Sequence, residues 1–329
     1  MRSAFGVIVA WLIVCLAGVY PAVARASEPE PITQIHFLIP GSAGGGWDLT
    51  ARAVGQVLRD TELLPAARFE NLAGGGGGRA IAHLIEVARD NMLMVNSTPI
   101  VVRSLQQIFP QSFRDLTPVA SVIGDYSAMV VRTESPYTNL AQLGAAQRAE
   151  PRAVAIAGGS VRGSTDHIVA AMMFKGLGAS ASSVKYIPYD TGGKAMVGLL
   201  SGEVAALSSG YGEVIDLVEQ GYVRILCIAA PGRLPAAPQT PTCTEAGSAG
   251  TVFVNWRGFF AAPDVPQERV VAWQALLTRM QQTEQWAATK ARYGWVDLLR
   301  TGDGFIALLE EQEAALRGLM IELGMLRSP

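Results

Sequence analysis

The chain has 329 residues, half of them hydrophobic, and a formal net charge of −2 at neutral pH. No basic run or stripe of basic and aromatic residues is present, which argues against nucleic acid as a partner. The three histidines, His36, His83 and His167, lie far apart in the sequence, and no His-x-x-x-His or Cys-x-x-Cys spacing occurs. We therefore expect neither a metal nor another cofactor.

The N-terminal residues 1–26 have the features of an export signal. Arg2 supplies a positive start, residues 7–19 are almost wholly apolar, and Ala24-Arg25-Ala26 places small residues where a signal peptidase acts. The apolar run of about 13 residues is shorter than the ~20 that span a bilayer. We expect cleavage after Ala26 and a periplasmic protein. An uncleaved anchor and a lipoprotein anchored at Cys15 are the alternatives.

Two cysteines, Cys227 and Cys243, remain after this cleavage. In an oxidising compartment such a pair can form a disulfide, but the sequence leaves open whether the two α-carbons come within bonding reach. Export and the even count together predict a Cys227–Cys243 bond.

From residue 32 onward, short β-branched apolar runs alternate with amphipathic stretches. This alternation predicts an α/β fold with mostly parallel sheets. The predicted strands are residues 35–39, 67–70, 93–96, 153–157, 184–188, 204–207 and 225–229.

Two further segments, residues 127–132 and 252–261, are extended and apolar without a clear helix before them. We interpret them as crossover strands that join two lobes. Lobe 1 would contain residues 27–126 and 255–329, and lobe 2 the inserted residues 127–254. Residues 267–326 have a mostly helical pattern, with a break at 302–304. A mature chain of this length is sufficient for two domains.

Four loops rich in glycine or hydroxyl side chains follow predicted strands, at residues 40–48, 73–79, 158–166 and 189–194. Glycines let backbone N–H groups approach an anion, and a helix start favours negative charge. Because these loops lie at the carboxyl ends of strands, we expect them to converge on one anion-binding cleft. Asp48 can instead cap its own helix. The third loop resembles a P-loop, but Ser164 replaces its lysine, which excludes a nucleotide site.

Several motifs occur together in the printed sequence: Ile39-Pro40, residues 44–48, Glu70-Asn71, Thr165-Asp166-His167 and residues 189–193. In combination they resemble the tripartite tricarboxylate transporter substrate-binding (Bug) family over nearly the whole mature chain. Residues 209–213 and 255–258 are similar to members associated with citrate and related tricarboxylates.

The resemblance implies a two-lobed periplasmic binding protein fold of the Venus-flytrap kind, type II. It also implies that backbone amides and water from residues 44–48 and 163–166 hold a ligand carboxylate. Arg162 departs from the family pattern, which has a small residue there. The candidate ligand-binding residues are Gly44, Gly45, Trp47, Asp48, Gly74, Ser97, Arg162, Gly163, Ser164, Thr165, Asp166, Tyr189, Gly192, Gly193, Ser209, Tyr211 and Arg257.

The implied function is that of a monomeric solute-binding protein, not an enzyme, which presents a citrate-like carboxylate to the membrane subunits of a tripartite transporter. Presentation to a sensor kinase and an exported isomerase or hydrolase are alternatives, although no Gly-x-Ser-x-Gly elbow is present. A ligand with several negative charges requires a cation in the cleft. Arg162 and Arg257 are the candidates. Arg257 could equally brace the hinge through a neighbouring carboxylate.

Overall fold

The computed structural model describes residues 31–87, 89–107 and 110–326. The predicted signal at residues 1–26 lies outside the described residues. Pro31–Pro329 forms one compact unit. Among the described residues, no helix is both long enough and apolar enough to cross a membrane.

Strands and helices alternate along most of the described chain. The strands are β1 (Gln34–Ile39), β2 (Ala66–Asn71), β3 (Met92–Ser97), β4 (Thr117–Arg132), β5 (Ala155–Gly158), β6 (Lys185–Pro188), β7 (Ala206–Gly210), β8 (Val223–Ile228), β9 (Val254–Ala261) and β10 (Val296–Thr301). The helices are α1 (Gly46–Asp60), α2 (Gly78–Val87), α3 (Pro99–Gln106), α4 (Leu140–Ala149), α5 (Thr165–Gly176), α6 (Gly192–Ser201), α7 (Tyr211–Glu219), α8 (Gln267–Gln281), α9 (Glu284–Tyr293) and α10 (Gly302–Glu322).

The strands follow the order β2-β1-β3-β9-β4-β7-β5-β6, and β8 and β10 also pair with β4. The long strand β4 connects two parts of this sheet. Its N-terminal part, up to Tyr126, pairs with β9 and β10, and from Ser127 onward it pairs with β7 and β8. We call β1, β2, β3, β9, β10 and the start of β4 the first half. The end of β4 with β5 to β8 is the second half.

The direction of the strands differs in part from the expectation of mostly parallel sheets. Strands β1, β2 and β3 pair in parallel, as do β5, β6 and β7. All pairings of β4 and the β3–β9 pairing are antiparallel. The parallel pairs belong to strand–helix–strand units. Strand β4 carries the chain out of the first half and β9 carries it back, so these two strands run in opposite directions.

Two segments differ from their sequence-based assignments. The crossover strand β4 begins at Thr117, ten residues before the predicted start. A complete strand, β10, directly precedes the predicted break at residues 302–304, in a stretch predicted as mostly helical, and pairs with β4 at the sheet edge. Most residues of β10 are half-buried. Because a half-buried strand contains polar residues, the sequence of β10 lacks the continuous apolar run that marks the inner strands.

Apolar side chains pack within each half and also across the two halves, because one buried cluster includes Leu38 of β1 together with Ala206 of β7. In the first half, α1 buries Val54, Val57 and Leu58 against β1, where Phe37 stacks on Phe69 with ring centroids 5.5 Å apart. In the second half, α5 fully buries Ile168, Ala171 and Phe174. Each such large side chain contributes roughly 1.5–3 kcal/mol when fully buried. The stable sheets therefore fix the loops at their ends.

A disulfide links Cys227, on β8, to Cys243, with α-carbons 4.8 Å apart. Both residues are fully buried. A backbone hydrogen bond joins the same two segments, since Cys243 N donates to Ile228 O over 2.8 Å. The bond holds the segment after β8 against the sheet.

Candidate functional site

A cavity of about 350 Å³ lies where the loops of the two halves meet. Its size is within the range of small-molecule sites. Its walls come from the loops that follow β1, β2, β3, β5 and β6, with side chains of α3, α7 and β9. The lining residues are Pro40, Gly41, Ser42, Gly45, Gly46, Trp47, Asp48, Ala73, Gly74, Gly75, Gly76, Ser97, Pro99, Arg103, Gly159, Ser160, Val161, Ser164, Thr165, Asp166, Pro188, Tyr189, Asp190, Thr191, Gly192, Glu213, Asn255 and Arg257.

The loop between β1 and α1 is held in place by the buried carboxylate of Asp48. Its Oδ2 accepts from Gly44 N at 3.0 Å, and its Oδ1 accepts from Arg52 Nε at 2.8 Å and from Asn71 Nδ2 at 3.0 Å. Asn71 Nδ2 also donates to Gly41 O. Asp48 therefore fastens the loop before its helix, rather than binding the first N–H groups of the helix itself.

Trp47 and Ser97 join the first loop to the end of β3. Trp47 Nε1 donates to Ser97 Oγ over 2.9 Å, and Ser97 is almost fully buried. The second glycine loop packs beside this pair, because a Cβ on Gly77 would lie 3.6 Å from the Trp47 ring. Residues 74–77 all have positive φ, a backbone region that favours glycine.

In the second half, two residues with buried hydroxyls line the cavity at the start of α5. Ser164 is 1% exposed and Thr165 2% exposed, and both line the cavity. Neither hydroxyl has a hydrogen-bond partner among the described residues. A hydroxyl is both donor and acceptor, and a helix N-terminus attracts negative charge. This wall is therefore suited to an anionic oxygen.

His167 supports the same loop from behind. Its Nδ1 accepts from Gly163 N at 3.0 Å, and its ring stacks on Tyr186 with centroids 4.6 Å apart. Burial, and secondly the positive charge of Arg162, lower the pKa of His167 to about 4. His167 is thus neutral near pH 7 and positions the loop as a hydrogen-bond acceptor.

At the base of the cavity, Arg257 forms a buried network. Its Nη2 is 2.8 Å from both Asp125 Oδ2 and Glu213 Oε1, and its Nη1 donates to Gly46 O at 2.5 Å and Thr50 Oγ1 at 3.1 Å. A Cβ at position 46 would overlap the guanidinium, so glycine is required there. Asp125 belongs to β4, and Glu213 to α7 in the second half. Arg257 therefore joins the two halves and is paired with two carboxylates.

Two acids of this region have raised pKa values. Burial raises the pKa of Asp125 to about 6 although Arg257 opposes the change. Burial also raises the pKa of Asp166 to about 7, and the negative charge of Glu213 adds to the rise. Asp166 lines the cavity, so the charge of this wall changes near neutral pH.

Comparison with known proteins places the chain in a family. Residues 54–292 match the sequence model described as the tripartite tricarboxylate transporter family receptor, TctC, which is well over half of the chain. The chain belongs to this receptor family. Protein BugT of Bordetella pertussis (strain Tohama I) is 28% identical over 309 residues, which cover 90% of this receptor and 93% of BugT.

Solved structures show that the receptor has a periplasmic binding protein fold. MatC of Rhodopseudomonas palustris, with bound malate, aligns with a TM-score of 0.77 at 21% identity over 88% of this chain and 99% of MatC. Rpa4515 of R. palustris, with adipate, aligns with a TM-score of 0.81 at 21% identity over 88% of this chain and 97% of Rpa4515. The periplasmic binding protein BugD aligns with a TM-score of 0.79 at 20% identity over 89% of this chain and 98% of BugD. Family and fold are those of binding receptors.

The structure brings most of the sequence-predicted site residues of this receptor to the cavity. Those in its wall are Gly45, Trp47, Asp48, Gly74, Ser97, Ser164, Thr165, Asp166, Tyr189, Gly192 and Arg257. The others lie outside the wall: Gly44, Arg162, Gly163, Gly193, Ser209 and Tyr211.

The predicted residues outside the wall have other surroundings. The Arg162 side chain is exposed. Gly44 donates its N–H to Asp48, and Gly163 donates its N–H to His167. Tyr211 is buried and its hydroxyl is 3.3 Å from Ala236 O. Gly44 and Gly163 therefore shape their loops, and Tyr211 fills the core behind them.

Sequence reasoning missed several residues of the wall, above all Arg103 on α3 and Glu213 on α7. Arg103 is only 5% exposed. A signal for it was present, since a single arginine interrupts the otherwise apolar start of α3, Pro99-Ile-Val-Val. Glu213 belongs to a motif quoted for the family resemblance, but its contact with Arg257 joins residues 44 positions apart.

Proposed function

We propose that this receptor captures a small organic carboxylate in the periplasm and presents it to the membrane subunits of a tripartite tricarboxylate transporter. The observation that carries the proposal is the pair of buried hydroxyls, Ser164 and Thr165, at the start of α5 in the cavity wall. Hydroxyl and backbone groups at a helix N-terminus can donate hydrogen bonds to a carboxylate, and the helix dipole there favours its negative charge. The malate and adipate in the related structures are small carboxylates of this kind.

Citrate is the tricarboxylate that the sequence motifs favour, and it is the first compound to test beside malate and adipate. We propose that the protein acts as a monomer after cleavage behind Ala26. Its lobes would be residues 27–126 with 255–329, and residues 127–254. Presentation of the ligand to a sensor kinase would use the same cleft, and identification of the bound partner distinguishes the two roles.

A thermal-shift screen of the mature protein tests carboxylate capture. Di- and tricarboxylates, amino acids and aromatic acids are compared, and hits are measured by calorimetry. A ligand present at 100 times its dissociation constant stabilises the folded state by ~2.7 kcal/mol. We expect at least one di- or tricarboxylate to raise the melting temperature and to be recovered unchanged. If no carboxylate binds, or if the bound compound is converted, the proposed function is wrong.

A further inference from the structure

Glu213 is an acid in the cavity wall, and the capture of a carboxylate does not by itself give it a function. It lies on α7 in the second half, and its side chain is 14% exposed. Its Oε1 accepts from Arg257 Nη2 at 2.8 Å. This bond to the buried arginine fixes the orientation of the carboxylate, so the position of the second oxygen, Oε2, is determined as well.

The second oxygen of Glu213 lies against the start of α6. A Cβ at Gly192, which also lines the cavity, would lie 2.2 Å from Oε2. Among the described residues, no hydrogen bond to Oε2 is formed. An ionised carboxylate can accept hydrogen bonds but cannot donate them. The partner of Oε2 therefore has to be a donor from outside the protein, either water or a group of the ligand.

Glu213 lies on the same side of the cavity as the first turn of α5. A Cβ at Gly159 would lie 2.1 Å from Gly192 N, so the loop after β5 packs directly against the start of α6 that contacts Glu213. In the same loop, Ser160 Oγ accepts from Asp166 N at 3.1 Å, which joins the loop to α5. A ligand whose carboxylate meets the hydroxyls at the start of α5 would thus have Glu213 beside it.

We propose that Glu213 accepts a hydrogen bond from a hydroxyl or amino group of the bound carboxylate, and that it selects ligands which carry such a donor. This inference rests on the proposed function and narrows its ligand class. A carboxylate without a donor would displace water and leave Oε2 unpaired, and an unpaired buried acceptor costs more than a hydrogen bond contributes. Sites built to bond a polar group of the substrate reject analogues that lack it.

The first test is calorimetry on the wild type with succinate, malate and aspartate, which share a four-carbon dicarboxylate skeleton. Malate adds a hydroxyl group and aspartate an amino group. Tricarballylate and citrate form a second matched pair, because citrate adds one hydroxyl. We expect malate or aspartate to bind at least about tenfold more tightly than succinate, since hydrogen bonds to charged groups are the stronger kind. A preference for aspartate would identify the donor as ammonium, and a preference for malate or citrate would identify it as hydroxyl.

The second test repeats these titrations on E213Q. A guanidinium has only donors, so the amide oxygen should stay with Arg257 and the NH₂ group should replace Oε2. We expect the preference over succinate to fall to about twofold or less, because the acceptor is lost. E219Q is the matched control, since Glu219 is exposed on the same helix and lies outside the cavity wall. A general loosening would weaken all ligands alike, so an unchanged preference in E213Q would overturn the inference.

G192A provides a readout if E213Q does not fold, with circular dichroism used to check both. The added methyl would overlap Oε2 without changing any charge. Because Arg257 holds Oε1, the carboxylate has to turn away from its present position. We expect the preference for the ligand with a donor to fall by about threefold or more, since hydrogen bonds depend steeply on geometry. A folded G192A with the wild-type preference would contradict the role of Oε2.

The inference and the proposed function can fail separately. A wild type that binds no carboxylate in the screen refutes both. If succinate, tricarballylate or adipate binds at least as tightly as malate, aspartate and citrate, carboxylate capture stands and only the role of Glu213 is refuted.

Discussion

At the scale of single residues, the cavity places a half-buried acid, Asp166, beside a ligand that we propose to be an anion. Asp166 lines the cavity, and burial together with the charge of Glu213 raises its pKa to about 7. Arg257, already paired with Asp125 and Glu213, opposes this rise only weakly. The protonation state of Asp166 therefore determines part of the electrostatic repulsion that a carboxylate meets.

We predict that carboxylate binding strengthens as the pH is lowered from 8.5 to 6. Above pH 7 Asp166 is ionised and repels the ligand, whereas below pH 7 it is neutral. One linked proton changes the affinity by at most about tenfold per pH unit. Titrations with adipate at several pH values measure this slope. His167 does not contribute to the pH dependence of binding between pH 6 and 8.5, because its pKa is lowered to about 4.

D166N should flatten this profile, since an amide cannot ionise. D303N is the control, because Asp303 is exposed on α10 and outside the cavity wall. An unchanged pH profile in D166N would show that another group controls the dependence.

Arg257 leads to a prediction about stability. Its side chain is 1% exposed, and its partner Asp125 is fully buried. R257Q would leave a buried carboxylate without its main positive partner, and breaking such pairs costs about 3–5 kcal/mol. We expect a corresponding loss in the free energy of unfolding, measured by urea denaturation, with R162Q near wild type. If R257Q is as stable as wild type but binds ligand weakly, Arg257 is a ligand contact and not a brace.

At the scale of elements, the Cys227–Cys243 bond joins β8 to the segment that leads toward the second crossover. Its cysteines are 16 positions apart, and closing a loop of this length restricts the unfolded chain by roughly 3 kcal/mol. We predict that C227A/C243A lowers the free energy of unfolding by about this amount.

Thiol titration of the denatured, unreduced mature protein is the direct check of the bond, and we expect no reactive thiol. Two reactive thiols per chain would show that the cysteines are free in the exported protein.

At the scale of the whole molecule, several contacts cross between the halves close to the cavity. Gln106 donates to Gly163 O, Glu213 pairs with Arg257, and Arg292 on α9 is 3.3 Å from Asp216 on α7. The strands β4 and β9 are the direct backbone connections between the halves. Ligand groups that contact both halves should stabilise the arrangement in which these contacts form.

We predict that the lobes close on the ligand by a hinge at the two crossover strands. Small-angle scattering should show a smaller radius of gyration with saturating ligand than without it. Q106A should favour the open form and weaken binding by up to about tenfold, since a neutral hydrogen bond contributes ~0.5–1.5 kcal/mol. Tight binding with unchanged interlobe distances would contradict the hinge.

The sequence by itself determined the α/β class, the positions of most strands along the chain and the loops that surround the cavity. These features depend on local chemistry. Apolar periodicity marks strands such as β1 and β3, and glycines between a strand and a helix mark loops such as residues 40–48. The family resemblance also depended on such local motifs, and the match over residues 54–292 confirms it.

Only the tertiary structure decided which charged groups reach the cavity. Arg162 stands inside a predicted binding loop but is exposed, whereas Arg103, on a helix that sequence reasoning did not select, lines the cavity. Arg257 meets carboxylates 132 and 44 positions away in the chain. Such pairings depend on how strands cross and how side chains pack, and the spacing of residues along one sequence does not contain that information.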